Sequence, residues 1–173
     1  MNEILQGILN RRSCKKFKPD MVPVEIIDQI IEAGLYAPNG MGKQSPVILA
    51  VTDKETRDKL SRLNRKYDPF KREDPFYGAP VVLVVIAPKN IPTYVYDGSL
   101  VMGNMLLAAD ALGIGGCWIH RAKETFADPE GKEILASLGI EGEFEGIGNC
   151  IFGYPDVEKK EAAPRNPNRV FKI

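Results

Sequence analysis

Arg11-Arg12-Ser13-Cys14-Lys15-Lys16-Phe17-Lys18, the basic segment of this chain, holds five cations in eight residues. The whole chain balances 23 Lys and Arg residues against 23 Asp and Glu residues, so this local excess of positive charge is unusual. Several cations beside a serine hydroxyl would satisfy the oxygens of a phosphate ester, which carries about −1.5 to −2 charges near neutral pH. A solvated surface run is the other interpretation of any short basic stretch, and the rest of the chain has to decide between them.

Length and composition indicate one globular domain spanning residues 1–173. The balanced charge argues against general nucleic-acid binding, which usually requires a strongly basic chain. Met1-Asn2-Glu3 lacks the cations of a signal peptide, and no apolar stretch reaches the about 20 residues of a membrane span, so we expect a cytoplasmic protein. Three cysteines without a CxxC pair suit a reducing compartment, and a single histidine predicts no metal site.

Apolar periodicity predicts helices and strands in an interleaved order. Helices are predicted over 2–10, 24–36, 54–64, 99–112 and 129–138, and strands over 47–51, 80–87, 117–119 and 147–152. The strand over 80–87 is continuously apolar, which indicates burial on both of its faces. Because the order is not a regular βαβ alternation, we predict an α+β fold with a mixed central β-sheet flanked by helices on both faces.

Three segments have predicted roles outside a simple core. Residues 65–78 are charged and aromatic with two prolines, which predicts a lid-like loop. Residues 156–173 are polar but end in an apolar stretch, so they are either disordered or a C-terminal arm that reaches across a partner. The helix over 99–112 is apolar on nearly every side, which leaves burial within one subunit and a subunit interface equally open.

Two glycine-containing loops are candidate ligand contacts. The loop over 37–46 would let the backbone approach a planar ligand, and the amide of Gln44 both donates and accepts hydrogen bonds. Taken alone, most such loops are only turns. The run Gly113-Ile114-Gly115-Gly116 follows a helix and precedes a strand, which is the reverse of a Rossmann fingerprint. We therefore reject a Rossmann dinucleotide site there and expect a helix C-cap.

Four motifs, in this order, resemble the FMN-dependent nitroreductase family across essentially the whole chain. They are Arg11-Arg12-Ser13-x-Lys15-x-Phe17, Ala37-Pro38-Asn39-Gly40 leading to Gln44, Ala111-Leu112-Gly113-Ile114-Gly115 leading to Trp118-Ile119, and Gly153-Tyr154-Pro155 followed by Pro164-Arg165-Asn166-Pro167. Each motif is weakly specific, whereas their joint order and spacing are fairly specific. The resemblance implies a nitroreductase-like FMN-binding fold in a domain-interlocked homodimer, with two FMN molecules at its interface.

The resemblance also implies which residues hold FMN. Arg11, Ser13 and Arg165 would hold the phosphate and ribityl chain, Arg12 would add contacts there, and Lys15 would approach the pyrimidine edge of the flavin. The remaining implied contacts are Pro38, Asn39, Gly40 and Gln44 from the other subunit, and the backbone of Trp118, Ile119, His120 and Arg121 near the reactive nitrogen.

Two positions depart from the family pattern. The family commonly has Gln-Pro-Trp where this chain has Gln44-Ser45-Pro46, so an aromatic contact is missing there. The tail often carries a second cation just before its arginine, where this chain has Ala162-Ala163, with Lys159 and Lys160 slightly upstream.

The resemblance implies an oxidoreductase with a ping-pong hydride-transfer mechanism. NAD(P)H would react first, and the electrons would then pass to a nitroaromatic, quinone, flavin or similar small acceptor. The chemistry is the cofactor's, so no side chain is predicted to be catalytic, and a structural role is the preferred interpretation of both His120 and Cys14. A non-catalytic flavin-binding or sensor protein on the same scaffold is the main alternative. A nucleic-acid module using the basic segment is disfavoured, because the overall charge of the chain is neutral.

Overall fold

The structure is a computed structural model that describes residues 2–173. The helices are α1 Glu3–Asn10, α2 Val24–Leu35, α3 Lys54–Tyr67, α4 Tyr94–Ala111, α5 Ala122–Ala127 and α6 Pro129–Ser137. The strands are β1 Val47–Val51, β2 Val81–Pro88, β3 Gly115–Ile119 and β4 Phe144–Gly153. A 3-10 turn, Gly40–Gly42, precedes β1.

The four strands form one sheet in the order β1-β2-β4-β3, and every neighbouring pair is antiparallel. The parallel element of this sheet is a single bridge between Ser13 and Gly116, which adds the basic segment to the outer edge of β3. The predicted α+β fold with helices on both faces is confirmed. The predicted mixed pairing of the sheet needs correction, because all neighbouring pairs of its four strands are antiparallel and the parallel bridge lies outside them.

Strand β2 divides the core into two layers, because successive side chains of a strand point to opposite faces. Leu83 and Val85 pack on the face covered by α2 and α4, while Val84 and Ile86 pack on the face covered by α3, α5 and α6. All residues from Val81 to Ala87 are fully buried, as the continuous apolar pattern predicts.

Polar side chains cap the N-termini of three helices. Asn2, Asp53 and Asp128 each accept a hydrogen bond from a backbone N–H in the first turn of the helix that follows. Asp128 also accepts hydrogen bonds from Lys66 and Tyr67 at the end of α3. These contacts carry α3 through Tyr67, so the first three residues of the predicted 65–78 loop are helical, which corrects that boundary.

Other boundaries also need correction. Helix α4 begins at Tyr94, five residues before the predicted start, and β4 begins at Phe144, where it pairs with Pro88 at the end of β2. Helix α5 was not predicted because its sequence is short and carries no apolar stripe; its Ala122, Thr125 and Phe126 are nevertheless buried.

One face of α4 stays open, although the helix is apolar nearly all round. Val101, Met102 and Met105 are buried, whereas Leu100 is 45% exposed and Gly103 is exposed. In the described chain, a single subunit therefore leaves part of α4 exposed. No helix within residues 2–173 combines the length and the apolar character that crossing a bilayer requires.

Candidate functional site

The basic segment is held along the edge of the sheet, between β3 and the chain that follows β4. The backbone N–H of Cys14 donates to Gly116 O at 3.0 Å, and that of Lys18 donates to Tyr154 O at 2.9 Å. Gly115 permits this approach, since a Cβ there would lie 2.8 Å from the Cβ of Cys14. The bridge at Ser13 and these bonds fix the backbone of the segment along the sheet edge.

A first cavity of about 520 Å³ opens beside this segment. Its lining includes Arg12, Ser13, Lys15 and Lys16, the glycine-containing turn from α4 into β3 at 113–115, and Lys159 and Lys160 from the tail. Such a collection of cations around a hydroxyl is what a phosphate ester needs. Lys159 and Lys160 were not predicted as site residues. The sequence feature that could have identified them is their position slightly upstream of the alanines at 162–163.

Two of these cations already have acidic neighbours. Lys16 Nζ lies 2.9 Å from Asp156 Oδ2, and Lys159 Nζ lies 2.8 Å from Asp110 Oδ1. The hydrogen bond from Lys16 lowers the pKa of Asp156, so this carboxylate is ionised. The lysines that remain without such a pair in this cavity, within the described chain, are Lys15 and Lys160.

Arg12 and Arg11 occupy different environments. The guanidinium Nη1 of Arg12 donates to Leu9 O at 2.7 Å and to Arg11 O at 2.6 Å, which satisfies carbonyls at the end of α1. Its Nε is buried without a hydrogen-bond partner. Burial raises the pKa of the Cys117 thiol, while Ser13, Lys15 and Arg11 oppose that rise.

A second cavity of about 250 Å³ lies on the other side of Lys15. Its walls are the 118–121 segment at the end of β3, Asn64 of α3, and the lid residues Asp68, Pro69, Phe70, Arg72, Pro75 and Tyr77. Lys15 lines both cavities, and its Nζ lies 5.4 Å from the centre of the Tyr77 ring. The structure thus brings the predicted residues Ser13, Lys15 and Trp118 to Arg121 into one continuous region.

Asn64 is a site residue that sequence reasoning missed. Its side chain is 2% exposed, and its Nδ2 donates to the backbone carbonyl of His120 at 2.7 Å. The ring of His120 is exposed and lies 5.4 Å from the indole of Trp118. Nothing in the sequence around Asn64 separates it from the polar face of an amphipathic helix, so only the packing of α3 reveals its position.

Two aspartates hold the lid loop in a defined conformation. Asp68 accepts hydrogen bonds from the backbone N–H groups of Phe70 and Arg72, and Asp74 accepts them from Phe76 and Gly78. Burial alone would raise the pKa of each aspartate, but hydrogen bonds lower it below its ordinary value. For Asp68 these are chiefly the backbone bonds from Arg72 and Phe70, and for Asp74 they are chiefly the side-chain bonds from Arg57 and Ser61. The loop is therefore anchored by two ionised carboxylates.

The loop over 38–44 is anchored from α4. Asp97, which is 3% exposed, accepts a hydrogen bond from Gly40 N at 2.9 Å and one from Thr93 Oγ1 at 2.8 Å. Asn39 Oδ1 accepts a hydrogen bond from Gln44 N at 2.8 Å. Gln44 has a positive φ of 49°, a backbone conformation uncommon for residues other than glycine. Such a conformation persists only where surrounding contacts impose it.

The structure does not bring every predicted contact together within one subunit. Neither cavity is lined by Arg11, by Pro38, Asn39, Gly40 or Gln44, or by Arg165. The guanidinium of Arg165 is exposed and donates to Ala163 O at 2.7 Å. These six residues remain predictions, and the contacts of the 38–44 loop depend on a second subunit.

The sequence matches known proteins over most of its length. The model of the nitroreductase family matches residues 8–67 and 61–154. A protein of Archaeoglobus fulgidus, provisionally named an NADH dehydrogenase/NAD(P)H nitroreductase, is 30% identical over 99% of this chain and 98% of its own length. The NADPH-flavin oxidoreductase of Vibrio harveyi is 30% identical over 98% of this chain and 72% of its own length. A relative from Methanothermobacter thermautotrophicus, 28% identical, is matched over 67% of this chain but only 60% of its own length.

Solved structures agree with these matches. A Bacteroides fragilis nitroreductase with bound FMN superposes with a TM-score of 0.89 at 27% identity, and each chain is fully covered. A Desulfitobacterium hafniense nitroreductase with bound FMN superposes with a TM-score of 0.88 at 25% identity, covering 100% of this chain and 99% of the other. Family model, full-length relatives and superposed structures agree, and the chain belongs to the nitroreductase family.

Proposed function

We propose that this protein is an FMN-dependent oxidoreductase that oxidises NAD(P)H and reduces small acceptors. The observation that carries the proposal is the pair of cavities that meet at Lys15, one cationic and one lined by aromatic residues. FMN is an anion at its phosphate end and a flat aromatic system at the other, so its two ends match the two cavities. The FMN-bound relatives superpose over the full length of this chain, which supports the same assignment.

The residues present fit FMN. Ser13 and the cations of the first cavity would hold the phosphate and ribityl chain, and the buried, unpartnered Nε of Arg12 is an available donor there. In the second cavity Lys15 would contact the pyrimidine edge, and the backbone of Trp118 to Arg121 would contact the flavin near its reactive nitrogen. Asn64 would hold that backbone in place through its bond to His120 O.

The chemistry of hydride transfer is supplied by FMN when it is bound. Lys15 would place a positive charge where negative charge develops on reduction, which stabilises the reduced form. The residues of the site bind and orient, and no side chain is required to act as an acid or base. Each cycle moves two electrons from NAD(P)H to the acceptor, which also takes up two protons, one of them from solvent. We expect ping-pong kinetics with nitroaromatic, quinone or flavin acceptors.

We further propose that the whole chain acts in the cytoplasm as one FMN-binding domain, and as a domain-interlocked homodimer. Helix α1 supports the dimer because its apolar side chains have no cover in one subunit: Ile4, Leu5, Ile8 and Leu9 are each more than half exposed. The apolar end of the tail is also exposed, with Phe171 at 82%. In this dimer the loop over 38–44 and Arg165 would complete the site across the interface, and residues 65–78 would cover it as a lid.

The direct test is reconstitution of purified protein with FMN, followed by anaerobic addition of NADH or NADPH. We expect a yellow protein whose flavin absorbance bleaches on reduction and returns when a nitroaromatic or quinone is added. A protein that stays colourless after incubation with FMN contradicts the proposal. A protein that binds FMN but is not reduced by either nicotinamide would instead be the non-catalytic flavin-binding protein.

A further inference from the structure

We propose that Tyr77 is the positioning residue for Lys15: its ring holds the ammonium group between the two cavities, and the anchored lid loop serves to place this ring. The inference rests on the proposed function, because Lys15 is the cation assigned there to the pyrimidine edge of the flavin. It goes further, because it gives the loop a role in setting the reduction potential of bound FMN, in addition to covering the site.

Lys15 needs a neighbour to hold it, since its side chain is exposed and a lysine stem is long and flexible. The adjacent Lys16 is paired with Asp156, whereas Lys15 forms no ion pair within residues 2–173. Its Nζ instead lies over the ring of Tyr77, 5.4 Å from the ring centre, inside the about 6 Å over which a cation is attracted to an aromatic face. The ring is therefore the group that can orient the ammonium of Lys15.

Tyr77 has a backbone conformation that only its surroundings can maintain. Its φ is 53°, in the left-handed region that residues other than glycine seldom adopt. Asp74 imposes this conformation, because it accepts hydrogen bonds from the N–H groups on either side, those of Phe76 at 2.9 Å and Gly78 at 2.7 Å. The half-buried ring packs against the core layer covered by α3, α5 and α6. Strained backbone that is fixed in this way is concentrated at functional sites, which indicates a task for the ring.

Asp74 is itself fixed by helix α3. Its Oδ1 accepts a hydrogen bond from Ser61 Oγ at 2.6 Å, and its Oδ2 accepts one from Arg57 Nη2 at 2.5 Å. These two residues of α3 are buried, at 5% and 8% exposure. Contacts thus connect a packed helix to the Tyr77 ring through one carboxylate, so the position of the ring does not depend on the loop alone.

A cation that is fixed in advance acts differently on the two states of the flavin. Transfer of a hydride to the oxidised ring adds one negative charge, and the proposed site places Lys15 beside it. An ammonium that is already oriented loses less conformational freedom when this charge appears, so it stabilises the reduced form more. Removing the Tyr77 ring should therefore weaken the binding of reduced FMN more than that of oxidised FMN, and the reduction potential should fall.

The contact is tested by NMR of the FMN-free protein labelled with 13C at the lysine ε carbons. We expect the ε protons of Lys15, identified by their absence in Lys15→Met, to be shifted upfield by the ring current of Tyr77. Tyr77→Phe should keep this shift and Tyr77→Leu should remove it. Lys18, which is exposed and lies outside both cavities, should keep the position of a solvated lysine in every variant.

The redox role is tested by spectroscopic titration of bound FMN against a reference dye. We expect Tyr77→Leu to lower the affinity for reduced relative to oxidised FMN by about threefold, the size of one exposed cation–π contact, which is about 15 mV for a two-electron couple. Tyr77→Phe, the matched control that keeps the ring, should change this ratio by less than about 1.5-fold. Lys15→Met should lower it by about tenfold, or about 30 mV, and adding Tyr77→Leu to Lys15→Met should have no further effect.

The inference is overturned if the Lys15 protons of the wild-type protein resonate with those of Lys18, or if Tyr77→Leu leaves the potential unchanged. An equal fall in potential in Tyr77→Phe would assign the effect to the hydroxyl, and a fall that persists in the Lys15→Met background would assign it to disruption of the loop. Either result also rejects the inference. Failure of the proposed function is seen separately, as absence of FMN uptake. The redox role then fails with it, while the NMR spectra still decide whether the ring holds Lys15.

Discussion

Arg11 is a predicted phosphate contact that is half-buried and lines neither cavity of the single subunit, so its role needs a direct test. We expect Arg11→Ala to raise the Kd for FMN by roughly 10- to 100-fold, the loss of one charge-assisted hydrogen bond to an anion. This change in Kd is measured by titrating the protein into FMN and monitoring the quenching of flavin fluorescence.

The matched control for Arg11 is Arg65→Ala, because Arg65 is an exposed arginine of α3 outside the basic segment. Arg57 is unsuitable, since it is 8% exposed and its guanidinium is paired with Asp74 and Asp58, so its removal would also disrupt packing and these ion pairs. Equal loss of FMN affinity in the Arg11 and Arg65 variants would show that the phosphate contact has been assigned to the wrong residue.

At the scale of elements, helix α4 positions the loop over 38–44 through one carboxylate. Asp97→Ala removes the acceptor for Gly40 N, and an unsatisfied buried donor costs about 1–3 kcal/mol. We therefore expect faster amide hydrogen exchange across 38–44 and weaker FMN binding, by about fivefold or more, with α4 itself unchanged. Hydrogen–deuterium exchange and the FMN titration measure the two effects.

Asp97→Asn keeps an acceptor for Gly40 N and should restore most of both properties. Ser99→Ala is the control on the same helix, since Ser99 is exposed and its hydroxyl bonds only to Val95 O of the preceding turn. If Asp97→Ala lowers the Tm and leaves exchange in the loop and FMN affinity at wild-type values, Asp97 has a structural role only.

At the scale of the whole molecule, the exposed apolar face of α1 predicts an obligate dimer. Ile8→Glu places a charge at the centre of this face, where it would be desolvated at the subunit interface. We expect the wild-type protein to elute as a dimer and the variant as a monomer with at least tenfold weaker FMN binding. Light scattering coupled to size-exclusion chromatography gives the mass.

Gln6→Glu adds the same charge to α1 outside the row of Ile4, Leu5, Ile8 and Leu9, and it should leave the dimer intact. A monomeric wild-type protein that binds FMN with full affinity would contradict both the dimer and the completion of the site by a second subunit.

Strong local patterns were enough to predict several elements correctly. The continuous apolar run at 81–87 has few alternatives to a doubly buried strand, and the stripe of Ile27 and Ile30 predicts a helix that packs on the core. Short or weakly patterned elements were missed: α5 has no periodicity to detect, and the length of α3 depends on contacts with Asp128, which is distant in sequence.

The sequence by itself determined the arrangement of layers and the identity of the cationic segment beside the first cavity, because burial pattern and local charge are properties of neighbouring residues. Only the tertiary structure decided that Lys159 and Lys160 join Ser13 at one cavity, and that Asn64 and the lid meet Lys15 at another. The physical reason is that these contacts join residues at least 49 positions apart in the sequence, and their geometry depends on the pairing of β3 with β4. A local sequence pattern does not show which distant segment will pack against it.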